Sequence, residues 1–309
     1  MSIYTVSIVR GDDVARQVRE AVNLLGGMER FVKPGDRVLV KPNMTGPASY
    51  EKGVTTNPAV VEALARMALE AGAGAVDIGD GTGSVHIGSL KVLELCGMAE
   101  AAGRLGCGLV DLNKGECVKI PVEGGLILDH VLVNRNFLEY NAVINVPVLK
   151  THFITEVSLG MKNMKGCIPP VEKRRFHDVG VNKAVRTALT VMDGTVAGEG
   201  LGPKEGRPVG FKTVLAGANV LAVDMTAAAV MGFVPEEIEH IRMAAEHGLG
   251  PAGSGEIQVV GEPVEAIRRK FLPAVPTMPD SDRARIINYQ ACSGCMGAAA
   301  IAVSRLTDM

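Results

Sequence analysis

RVLVKPN, residues 37–43, and AVDIGDGTG, residues 75–83, bracket the stretch that decides the fold. The first is an apolar run that ends at Pro42, and the second is a β-branched run closed by a glycine turn. Between them TTNPAVVEALARMALEAGAG, residues 55–74, carries helical spacing. Asn57 is placed to cap that helix, Pro58 fits its first turn, and Gly72 or Gly74 closes it. Strand, helix, strand in that order means two parallel strands joined by a crossover.

Working outward, the same alternation continues. YTVSIVR (4–10) reads as a strand, and DDVARQVREAVNLLGG (12–27) as an amphipathic helix capped by Asp12 and stopped by two glycines. GSLKVLELCGMAEAAGRLG (88–106) reads as a helix and CGLVDL (107–112) as a strand. CVKIPVEGGLILDHVLV (117–133) reads as a hairpin turning at Gly124–Gly125. AVINVPVL (142–149) is a strand, with short helices expected over 153–165. A basic loop, PPVEKRRFHD (169–178), leads into the helical VNKAVRTALTVMDG (181–194). FKTVLAG (211–217) and EIQVVG (256–261) are strands, and NVLAVDMTAAAVMG (219–232) and PEEIEHIRMAAEHGLG (235–250) are helices. The expectation is an α/β fold, a mostly parallel sheet covered by helices, with two lobes sharing a central crevice. Residues 1–135 form an N-terminal lobe and 136–275 a C-terminal lobe. Residues 276–309 hold a linker and a final helix with a C-x-x-C at its start.

The totals exclude several classes. The chain has 309 residues, 47% hydrophobic and 21% charged, which is a globular balance. A formal net charge of −2, no Trp and 4% aromatic residues argue against a nucleic-acid partner. MSIYTVSIVRGDD meets charge by Arg10 and reads as a first strand rather than a leader. The window VLAVDMTAAAVMGFV (220–234) is broken by Asp224 and too short to span a bilayer. The expectation is a cytoplasmic protein with no membrane partner, its six cysteines reduced or metal-bound.

In open parallel sheets the ligand crevice lies beyond the carboxyl ends of the strands, so strand-ending residues are the candidates. Lys41 and Asn43 follow one strand and Asp80 another. Asn145, Lys150, Thr151 and His152 surround NVPVL, and Asp193 follows LTVM. If 154–163 is helical, Thr155, Ser158 and Lys162 share a face and add a third amine. With Asn163, these make an electropositive pocket for a carboxylate or phosphate. The turn at 79–84 does not fit a dinucleotide fingerprint, because position 84 is Ser and Asp80 would oppose a pyrophosphate. His152 and His177, in polar loops beside the lysines, are the candidates for proton transfer. Asp224 reads as a core hydrogen-bonding group, or else as a perturbed acid. Cys167, Cys292 and Cys295 have the pattern of a lone Cys with a distant C-x-x-C, which can hold an iron–sulfur cluster with one iron open. Cys117 stays open as a fourth ligand. Cys96 and Cys107 read as small core residues.

The ordered motifs VLVKPN, TTNPAVVEAL, GDGTG, NVPVLKTH, LGMKNMKGC, MDG, LAGANVLAVD and MGFVPEE together resemble one family over about residues 3–262. It is the widespread prokaryotic domain of unknown function numbered three-sixty-two, often described as iron–sulfur centre proteins. Many of its members append a ferredoxin module that this chain lacks. The resemblance implies an iron–sulfur protein of anaerobic chemistry and favours an oxidoreductase slightly over a lyase, reduction and dehydration both fitting the layout. With the cysteine pattern, the centre is an oxygen-sensitive 4Fe-4S cluster held by Cys167, Cys292 and Cys295. Lys41, Lys150 and Lys162 would clamp a small anionic metabolite, with an electron-donor protein or a second copy as further partner. Two rivals stand beside it. One is a metal-free or zinc-stabilised anion-binding protein. The other is a subunit that shares its cluster with a partner.

Overall fold

Val38, Leu39 and Val40 point alternately to the two faces of one strand, and the molecule is arranged on either side of that alternation. A computed structural model describes residues 3–83, 88–122, 129–175 and 187–274. The first half contains β1 (Tyr4–Arg10), α1 (Val14–Asn23), β2 (Arg37–Pro42), α2 (Pro58–Glu70), β3 (Ala75–Asp80), α3 (Ser89–Leu95), α4 (Met98–Leu105) and β4 (Gly108–Asp111). Then follow a hairpin of β5 (Cys117–Pro121) and β6 (His130–Asn134), and β7 (Ala142–Val146), β8 (Val148–His152) and the short β9 (Glu156–Val157). The rest is α5 (Leu159–Asn163), α6 (Pro170–Arg175), β10 (Leu189–Leu201), β11 (Glu205–Val209), β12 (Thr213–Gly217), α7 (Val220–Val230), α8 (Glu239–Glu246), β13 (Ile257–Gly261) and α9 (Val264–Ile267).

The main sheet has the order β13-β1-β12-β10-β7-β2-β3-β4. Strands β10, β7, β2, β3 and β4 run parallel, and β12 lies antiparallel to both of its neighbours. This is the α/β architecture with a mostly parallel sheet that the alternation predicts. The sheet crosses residue 135: β1 sits between β12 and β13, strands more than 200 residues further along the chain.

Val38, Val40, Ile78, Ile144 and Val191 face α1 and α2, forming one core. On the other face Ile8, Met192 and Leu215 pack against α7 and α8. A third cluster, built on Leu39 and Val143, lies under the β5–β6 hairpin. At roughly 25 cal/mol per Å² of apolar surface removed from water, these faces are the main favourable term in folding.

Five local expectations are corrected. Residues 189–194, expected in a helix, open the 13-residue β10, because LTV is β-branched-rich and pairs with β7. Residues 88–106 break into two helices at Gly97, which adopts φ 80° and caps the second. Helix within 153–165 is confined to Leu159–Asn163, so Thr155 and Ser158 precede it and share no helical face with Lys162. In the loop expected at 169–178, Pro170 starts a helical turn that runs to Arg175. Asp13, rather than Asp12, caps α1 by accepting from Arg16 N at 3.0 Å. No described helix is long and apolar enough to cross a membrane.

Candidate functional site

Parallel register sets the site. Lys41 of β2 lies opposite Asn145 of β7, and Asp80 of β3 lies opposite Asp111 of β4. Each is the last or next-to-last residue of its strand, so their polar ends meet at one edge. Lys41 Nζ pairs with Asp80 Oδ1 at 2.7 Å and donates to the Asn163 carbonyl at 2.7 Å, both side chains fully buried. Asp80 Oδ2 accepts from Met44 N at 3.0 Å. The pair is closed over by the turn at Gly166, where a Cβ would come within 2.6 Å of Lys41 Nζ.

An amide chain leads away from this pair. Asn163 Nδ2 donates to Asn145 Oδ1 at 2.8 Å, and Asn145 Nδ2 donates to the Gly160 carbonyl at 3.1 Å. Asn43 Nδ2 donates to Asn163 Oδ1 at 3.0 Å, and Asn43 Oδ1 accepts from Lys150 Nζ at 2.6 Å. Lys41, Asn43, Asp80, Asn145, Lys150 and Asn163 are thus one connected network.

Lys150 is its most unusual member. Its side chain is 1% exposed, and Nζ reaches Thr45 Oγ1 at 2.9 Å and the Val54 carbonyl at 2.6 Å besides Asn43. None of these three acceptors is charged. Burial, aided by the positive charges of Lys162 and Lys204 and opposed by Asp80, brings its pKa down to about 7. Both protonation states find partners. The ammonium donates to all three oxygens, while the neutral amine donates to two and accepts from the Thr45 hydroxyl.

The remaining candidates serve the surrounding backbone. Thr151 Oγ1 donates to the Gly200 carbonyl at 2.8 Å. His152 Nδ1 accepts from Ile154 N at 3.0 Å, which assigns its proton to Nε2 when neutral, and the ring stacks on Phe153. Asp193 is buried and accepts from Asn57 N at 2.7 Å and Thr195 Oγ1 at 2.6 Å, anchoring the start of α2. Lys162 is on α5, close enough for its charge to bear on Lys150. His177 lies outside the described residues. Asp224, buried on α7, accepts from Gly160 N at 2.6 Å and Met161 N at 2.8 Å. It therefore holds the start of α5, and burial pushes its pKa up to about 7.

Sequence reasoning missed three residues here. Lys173 Nζ donates to the Gly81 carbonyl and to Asn113 Oδ1, both at 2.6 Å, and burial lowers its pKa to about 8. It stood unremarked within the basic run after Pro170. Asn113, two residues beyond β4, follows from the strand-end rule had it been applied to CGLVDL. Thr45 carried no signal at all.

A cysteine ligates a cluster as its thiolate, losing the proton on binding. Cys167 is fully buried in the third apolar cluster with Met164 and Ile168, and burial pushes its thiol up to about 12 although Lys41 and Lys173 oppose this. Cys117 is half-buried on β5, its thiol also raised by burial. Cys96 packs in the core, as read, and Cys107 packs against it. Among the described residues no three His, Cys, Asp or Glu gather to hold a metal, and Cys292 and Cys295 lie outside them. Cys167 thus lies in apolar surroundings, and its two companion thiols in the C-x-x-C lie outside the described residues.

The fold and this edge define a class: an α/β protein whose parallel strands deliver a buried lysine network to their carboxyl ends. The family model of domain of unknown function DUF362 matches residues 38–229, and the chain belongs to that family. Thylakoid-associated protein sll1697 of Synechocystis is 29% identical over 271 residues, covering 82% of each chain. The lactate racemase apoprotein of Thermoanaerobacterium thermosaccharolyticum is similar in structure, with a TM-score of 0.45 and 12% identity. That likeness covers 76% of this chain and 58% of the racemase chain.

Proposed function

We propose that the chain is an enzyme acting on a small anionic substrate at the carboxyl ends of β2, β3, β7 and β8, with Lys150 gaining and losing the proton. The observation that supports this most is the Lys150 ammonium group, fully buried among neutral acceptors with a pKa near neutrality. A catalytic acid or base works best when its pKa lies near the operating pH. A buried lysine whose described hydrogen-bond partners are all neutral is costly to keep for stability alone. A bound anion beside Lys150 supplies negative charge there and draws the proton onto its amine. Reduction and dehydration of a small acid both call for such a proton beside the substrate. A cytoplasmic setting goes with this reading.

Two measurements test it together. In the wild type the Lys150 side chain, followed by NMR of its Cε–H group, titrates near pH 7, and Lys150→Met removes acetate binding at the strand ends. Titration near the ordinary lysine value, or acetate binding untouched by the substitution, would sink the reading. The cluster is a separate question carried by Cys292 and Cys295. Iron and acid-labile sulfide per chain after oxygen-free purification decide it.

A further inference from the structure

Lys173 differs from Lys150 in what its amine is left to do. Its Nζ donates to the Gly81 carbonyl and to Asn113 Oδ1, both at 2.6 Å. Among the described residues no third acceptor meets it. A neutral lysine amine has two N–H donors and one lone pair. Gly81 and Asn113 take both donors, so the lone pair points away from them and stays unshared. Lys150 is the opposite case, because it meets three oxygens and the Thr45 hydroxyl donates to its neutral form.

The two acceptors are themselves held in place. Asn113 Nδ2 donates to the Thr82 carbonyl at 3.0 Å and to Ser89 Oγ at 3.1 Å, so the amide cannot turn over without losing both bonds. Its Oδ1 is thereby kept toward the amine. Gly81 leaves the space that the amine fills. A Cβ there would stand 2.8 Å from Lys173 Nζ and 2.7 Å from Asn113 Oδ1. Gly81 directly follows β3 and Asn113 lies just beyond β4, so this amine sits over the same carboxyl edge as the Lys41–Asp80 pair. Burial, opposed by Asp80 and aided by Lys41, brings its pKa to about 8. Lys173 is only half-buried, which leaves a path from solvent to that side of the edge.

We propose that Lys173 is a nucleophile whose amine forms an imine with an aldehyde or ketone carbon of the substrate. The substrate is then a small carbonyl compound, and only its negative charge rests on the reading given above. Nζ adds to the carbonyl carbon, the C=O bond opens to a carbinolamine, and the oxygen leaves as water. The product is an iminium with one N–H and one positive charge, so one proton is taken up from solvent. That N–H stays on one of the two acceptors, and no outside oxidant or reductant is consumed.

The test is reductive trapping on the full chain at about pH 7.5, with glyoxylate or propionaldehyde as probe and cyanoborohydride as reductant, read at each lysine by peptide mass spectrometry. At that pH an amine of pKa about 8 is neutral roughly 200-fold more often than an ordinary lysine. Lys173 is expected to be trapped at least about 10-fold faster than the exposed Lys33, Lys91 and Lys114. Asn113→Asp sets a carboxylate against the amine, holds it as the ammonium, and is expected to cut trapping at Lys173 about 10-fold. Trapping at Lys173 no faster than at the exposed lysines, or untouched by Asn113→Asp, overturns the proposal. Propionaldehyde carries no charge, so its trapping succeeds or fails independently of the anion site at Lys150. If Lys173 leads with both probes and glyoxylate gains nothing there over propionaldehyde, the nucleophile stands and the negative charge of its substrate falls.

Discussion

Lys150 shows how one residue couples stability to chemistry. Its folded pKa of about 7 lies below the ordinary lysine value of 10.5. Between those two pH values the unfolded chain holds a proton that the folded chain has released. Unfolding free energy therefore rises with pH from about 7 toward 10.5 and is lost as pH falls through 7. Denaturant unfolding of wild type against Lys150→Met should show this increment in the difference between them, and a flat difference would place the amine in water. The substitution also leaves Asn43 Oδ1 and the Val54 carbonyl to share the single Thr45 hydroxyl as donor, so that one of them goes unmet at a cost of about 1–3 kcal/mol. Cys167 gives the contrasting case. Cys167→Ser places a hydroxyl in an apolar cluster and should lower stability by about 1–3 kcal/mol. Iron per chain after oxygen-free purification tells its role: iron lost in the variant makes Cys167 a ligand, and iron retained removes it from the ligand set.

At the scale of elements, α5 is the piece on which the site hangs. It is five residues long, too short to hold itself, and its first N–H groups at Gly160 and Met161 are satisfied by Asp224 of α7. Asp224→Ala leaves two buried donors without a partner and should cost on the order of 3 kcal/mol. It should also weaken anion binding, because Lys162 and Asn163 ride on that turn. Gly160→Ala attacks the same joint from the other side, since a Cβ there would meet Asp224 Oδ1 at 2.7 Å and Val220 Cγ2 at 2.8 Å. Thermal unfolding of both variants checks this, and an unchanged melting temperature in Gly160→Ala would mean that α5 is not seated as described. This joint was only half legible in the sequence. Asp224 stood out as a lone acid on an apolar helix, but nothing near it in the chain said which backbone it served, because its partners lie more than 60 residues away.

For the whole molecule, the decisive feature is that β1 is clasped between β12 and β13, while β2, β3 and β4 extend the same sheet on the far side of β7. Contacts of such sequence separation bind both halves of the chain into one sheet. Hydrogen exchange under rising denaturant should show the amides of β3 and β12 exposed in one shared transition. Two well-separated transitions would show that the halves on either side of residue 135 fold as independent units.

What the sequence determined by itself was local. Alternating β-branched runs and capped helical patterns specify the α/β class, because each element's periodicity is written in its own residues. Strand-end residues mark the edge where Lys41, Asp80, Asn145 and Lys150 meet, because parallel strands place all their carboxyl ends together. The tertiary structure decided the rest. Burial made Lys150 a near-neutral amine and Cys167 a protonated thiol, and long-range approach brought Thr45 and Lys173 to the site. Desolvation and the contacts made by distant segments set those properties, and neither is encoded in the neighbours along the chain.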